Sequence, residues 1–119
     1  MKPGALNLAA NPGTRFQRTF TWQNPDATPA DLTGYWAVLQ VRWRADSPDA
    51  LLEASSDPAG GITLGGALGT IQVSKDLPVG FAPGSYAWDL RLVSPLGAGL
   101  VLLGGRFEVG PLVSRKVQP

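Results

Sequence analysis

Nine Asp and Glu residues, with no histidine and no cysteine, make up most of the reactive chemistry open to this 119-residue chain. Without imidazole or thiol there is no thiol nucleophile, no thiolate metal site, no disulfide and no histidine acid–base catalysis. A catalytic carboxylate pair needs two acids held at a set separation in environments that drive their pKa values apart. Asp26, Asp31, Asp46, Asp49, Asp57 and Asp76 lie instead in turn-like stretches, where Asp bonds nearby backbone amides. Glu53, Asp89 and Glu108 fall on outward strand positions. The expectation is a non-enzymatic chain with no cofactor. Asp46 and Asp49 with Asp57, or Asp26 with Asp31, could supply some calcium oxygens, but no D-x-D-x-D-G spacing occurs. Turn chemistry is the expected role of both groups, and no metal site is assigned.

The pairs Gly60-Gly61, Gly65-Gly66 and Gly104-Gly105 invite comparison with phosphate loops. Those loops need a strand before them and a helix N-terminus after, and no helical pattern follows any of the three. Turns, and a bulge at Gly104-Gly105, are expected instead. Four tryptophans remain. Trp43 and Trp88 alternate onto the inward faces of the two best strands and are expected in the core. Trp22 closes its strand half exposed. Trp36 lies opposite the Tyr35–Trp43 face and is the aromatic best placed to meet a partner or a ligand, with covering the end of the domain as its plainer role.

The elements that hold these residues follow a β rhythm. Fifteen Gly and eleven Pro punctuate short apolar stretches. Residues 1–13 read as irregular, 14–110 as one β domain and 111–119 as a tail. Thr14–Trp22 alternates with Phe16, Arg18, Phe20 and Trp22 on one face; Arg18 breaks that face and is expected at an edge or in a pair. Tyr35–Arg44 sends Tyr35, Ala37, Leu39, Val41 and Trp43 one way, and Trp36, Val38, Gln40, Arg42 and Arg44 the other. Ser85–Val93 alternates likewise, with Tyr86, Trp88, Leu90 and Leu92 inward, and turns through Ser94–Gly99 into Leu100–Val109. Ala50–Ser55, Ile62–Leu64 and Leu68–Val73 are shorter strands. Outward Arg42 and Arg44 beside Asp89 and Arg91 point to cross-strand charge pairing.

About seven strands over roughly 100 residues is the scale of an all-β, Ig-like antiparallel β-sandwich, with a small barrel as the competing architecture. Apolar residues are 44% of the chain and the net charge is +1, so neither a nucleic-acid nor an anionic-membrane footprint is visible. No apolar run has signal-peptide or spanning length, which reads as synthesis in a cytoplasm without a cleaved signal.

Four stretches in order carry a resemblance: Pro29-Ala30-Asp31-Leu32-Thr33-Gly34-Tyr35 with Leu39-Gln40-Val41-Arg42, then Gly69-Thr70-Ile71-Gln72-Val73, Gly84-Ser85-Tyr86-Ala87-Trp88-Asp89-Leu90 and Leu103-Gly104-Gly105-Arg106-Phe107-Glu108-Val109. Together they resemble small tail and baseplate proteins of tailed bacteriophages, and are similar to the Ig-like N-terminal domain of phage baseplate upper proteins. The resemblance spans about residues 14–110 and is one of turns and core positions. It implies a virion structural protein that contacts other virion proteins, forms a homo-oligomer in the particle, and carries no catalytic residues. A carbohydrate- or receptor-binding module using Trp36 or Trp22 is the alternative, and a capsid decoration protein a further one. In residues 111–119, Leu112, Val113 and Val117 beside Arg115 and Lys116 are the apolar and basic groups expected to meet a neighbouring subunit.

Overall fold

A computed structural model describes residues 4–110. It is all-β, with nine strands and one 3-10 turn: β1 (Gly4–Ala5), β2 (Leu8–Ala10), β3 (Arg15–Thr21), β4 (Trp36–Arg42), β5 (Ala50–Ser55), β6 (Ile62–Leu64), the turn Gly66–Leu68, β7 (Thr70–Asp76), β8 (Gly84–Val93) and β9 (Gly99–Val109). The larger sheet runs β1-β9-β8-β4-β5, with β2 also on β9; the smaller runs β3-β7-β6. This is a sandwich, and its central strand order is that of the variable-type immunoglobulin fold, G-F-C-C′ facing B-E-D.

Alternation builds the core where it was expected. Ala37, Leu39 and Val41 of β4 and Tyr86, Trp88, Leu90 and Leu92 of β8 are all buried. The sheets meet through aromatic pairs: Phe20 of β3 stacks on Trp88 with centroids 6.1 Å apart, and Phe16 tilts against Phe107 at 5.4 Å. These contacts fill the intersheet space that a β3–β8 disulfide spans in antibody domains. Tyr86, two residues before Trp88, donates its hydroxyl to the Ala82 carbonyl. That is the tyrosine corner of such sandwiches, fixing the crossing from the smaller sheet into β8.

Four expectations need correction. Trp43 is 55% exposed rather than buried. The β4–β5 register shifts between Val41 and Arg42 and β4 ends there, so Trp43 leaves the core face and packs edge-on against Tyr86 at 5.3 Å. Residues 1–13 are not irregular throughout: β1 and β2 pair in parallel with β9, and Leu8 is buried in the core. The bulge in β9 falls where Leu90 and Arg91 shift partners from Leu103 to Val101, leaving Leu102 unmatched, and not at the Gly104-Gly105 pair. Arg42 pairs with no acid; its guanidinium donates to Gln40 Oε1 and the Ser47 carbonyl, while Asp89 stands opposite Gln40 in register.

Gly105 is glycine for a steric reason. A Cβ there would lie 2.1 Å from the Leu6 carbonyl oxygen, because the link between β1 and β2 passes directly over it. That carbonyl accepts the Trp88 indole N–H at 2.9 Å, and the Arg106 N–H donates to the Asn7 side chain at 3.2 Å. The N-terminal strands are therefore stitched to the core tryptophan as well as to the sheet edge.

Candidate functional site

Trp36 opens β4 half-buried, as the period-2 reading places it on the outward face. Its indole N–H donates to Asp57 Oδ1 at 2.9 Å, and Asp57 Oδ2 receives the Ser55 hydroxyl at 3.3 Å. The carboxylate itself is placed by the turn that follows β5, where Gly60 N–H donates to the Asp57 carbonyl and Ser55 N–H to the Gly60 carbonyl. Ala59 holds φ +63° within that turn, a left-handed conformation that L-residues adopt at a cost. Indole and carboxylate are thus set by a closed loop whose hydrogen bonds are satisfied.

Beside them opens a cleft of about 890 Å³, where the chain passes from β5 of the larger sheet to β6 of the smaller. Tyr35, Trp36 and Asp57 line one side; Arg15, Ser74 and Asp76 line another, with Thr63 and Lys75 also in the lining. Arg15 and Asp76 form an exposed ion pair at 2.9 Å, and Arg15 also donates to the Ser74 hydroxyl. Tyr35 is held from behind by Trp22, which meets it edge-on at 6.3 Å. Trp22, the other tryptophan expected to reach a ligand, is half-buried just past β3 and is not in the cleft lining. Leu112, Val113, Arg115, Lys116 and Val117 lie outside the described residues.

The remaining acids are spent on loops. Asp31 Oδ1 accepts both the Thr33 hydroxyl and its N–H, and Asp26 does the same with Thr28. In each case the threonine hydroxyl first, and the backbone N–H second, hold the carboxyl below the usual Asp range. Asp57 turns to Trp36 and Ser55 rather than toward Asp46 and Asp49. Among the described residues, no group of three or more acids could hold a metal ion.

No protein-family model matches the chain, and no curated protein does. Among solved structures it is similar to one described as a GspB Siglec domain, at 18% identity and a TM-score of 0.50. The likeness covers 92% of this chain but 55% of that one, so the chain spans little more than half its length. At this identity the likeness is one of β fold alone.

Proposed function

We propose that the chain is a non-enzymatic structural protein of a tailed phage or phage-like particle, tail- or baseplate-associated, working by assembly contacts with neighbouring subunits. It would be made in the host cytoplasm and act in the virion, as one of several like copies. The ordered match of turn and strand motifs to phage tail and baseplate domains supports this reading, because those residues serve as framework. Asp31-Leu32-Thr33-Gly34 is a turn in which Tyr35 N–H donates to the Leu32 carbonyl and Gly34 supplies φ +80°.

The observation that carries the reading is the end strand of the smaller sheet. β3 pairs with β7 on one side only, which leaves the outer backbone groups of a seven-residue strand without a neighbouring strand among the described residues. Such an edge is a template for a strand from another chain, and Arg15 and Arg18 on it restrict which strand can add. Particles from an induced culture, banded on a density gradient, provide the test. The protein is expected by mass spectrometry in fixed ratio to tail proteins and missing from tailless heads. Its presence on tailless heads would make it a capsid decoration protein, and its staying at the top of the gradient would overturn the virion role.

A further inference from the structure

We infer that the Trp36–Asp57 cleft is a binding site for a short neutral saccharide, a role separate from assembly and independent of it. The argument begins with shape. A cleft of about 890 Å³ falls within the range of about 300–1,000 Å³ that small-molecule sites occupy. Its position at the strand crossing leaves it open to solvent along the side, as an oligomeric ligand entering by one end requires.

The lining selects the ligand class. Two cations, Arg15 and Lys75, face two carboxylates, Asp57 and Asp76, so the formal charge of the cleft sums to zero. A phosphate-rich or polyacidic ligand would meet as many carboxylates as cations, and a lipid would meet too much polar surface. A sugar has what remains: hydroxyls that donate and accept, and an apolar face of ring C–H groups. Carboxylates, the Lys75 ammonium and the Thr63 hydroxyl offer both halves of those hydrogen bonds. Trp36 and Tyr35 offer the aromatic surface for the C–H face.

Preorganisation completes the case. The indole has a single N–H, and Asp57 holds it at 2.9 Å. Asp57 is in turn held by Ser55 and by the hydrogen-bonded turn through Gly60. On the far side the Arg15–Asp76 pair is braced by Ser74. Polar groups fixed before the ligand arrives lose little side-chain entropy on binding, which is what a shallow polar site needs in order to bind at all.

Isothermal titration of the full chain with lactose, maltotriose and chitotriose, and with digalacturonate as the acidic arm, tests the inference. At least one neutral sugar is expected to bind with a Kd of about 1 mM or tighter. Trp36→Ala should remove that binding, and Lys75→Met and Thr63→Val should each weaken it about tenfold or less, the loss of a single polar contact. If Trp36→Ala fails to give the native circular dichroism, Lys75→Met decides, because that side chain is only half-buried and its replacement keeps the stem. Failure of all three neutral sugars to bind, binding of digalacturonate alone, or neutral-sugar affinity unchanged in the deciding variant would each overturn the site.

Discussion

Asp26 and Asp31 show how single residues in this chain convert turn chemistry into a pH dependence. Both carboxyls are held below 3.8 in the folded protein by a threonine hydroxyl and a backbone N–H. A depressed folded pKa stabilises the fold in full above the unfolded value of about 3.9 and loses that effect as pH falls through the folded value. The melting temperature of the native chain should therefore drop as pH falls below about 4, and the drop should be shallower in the Asp26→Asn, Asp31→Asn double variant. Both groups are exposed, so the difference will be small, and thermal melts across the acid range read it directly. The tryptophans provide a larger contrast. Trp88→Ala removes the stacking partner of Phe20 from the core and should cost about 3–5 kcal/mol in a denaturant melt. Trp43→Ala gives up an exposed ring and one edge contact with Tyr86, and should cost about 1 kcal/mol. A loss at Trp43 equal to that at Trp88 would mean that β4 continues past Arg42 with its ring inside.

At the scale of elements, alternation was a sound guide where a strand is long and half-buried, because period 2 reports burial itself. β8 and the first part of β4 were legible for that reason, down to the inward set Tyr86, Trp88, Leu90 and Leu92. Alternation cannot register a slip between partners. Trp43 was misplaced by the shift at Val41/Arg42, and Val38, on the outward face, is buried between its register partners Arg91 and Ser55. β2 was invisible because three residues carry no period and its pairing is with a strand about a hundred positions away. The candidate site was legible in half: Trp36 stood out by its face, whereas Asp57 lies 21 residues on and meets it only through the fold. Gly105 likewise looked like turn punctuation until the Leu6 carbonyl was seen above it. Gly105→Ala must push that carbonyl away and strand the Trp88 N–H in the core, a loss of about 1–3 kcal/mol. Gly104→Ala, whose nearest atom would be the Trp88 carbonyl oxygen at 3.3 Å, should be felt far less. Hydrogen exchange should show faster exchange at Leu8–Ala10 in the first variant and near-native exchange in the second.

At the scale of the whole molecule, the sandwich is closed without help from covalent links or from the chain beyond Gly110. Phe20–Trp88 and Phe16–Phe107 join the sheets, and β2 seals the edge of β9 with Leu8 inside. The last bond of that seal is the Gly110 N–H to the Ala10 carbonyl at 3.2 Å. It sits beside Asn11, whose carbonyl accepts the Thr14 hydroxyl one residue before β3 begins. The chain thus passes into residues 111–119 close to the start of the strand whose outer edge has no neighbour among the described residues. A segment ordered on a neighbouring subunit must offset about 1–2 kcal/mol of backbone entropy per residue. Leu112, Val113 and Val117 are the apolar side chains available to do so. Deleting 111–119 keeps Gly110 and with it every bond of the described sandwich, so the melting temperature of the isolated domain should stay within about a degree of native, as expected where no buried contact changes. Incorporation into particles should fall to background in the same gradient experiment. A truncated chain that melts normally and still enters particles would place the docking surface elsewhere, with the free edge of β3 as the next strand to block by Thr19→Pro, a substitution that adds a ring where an incoming strand would pair.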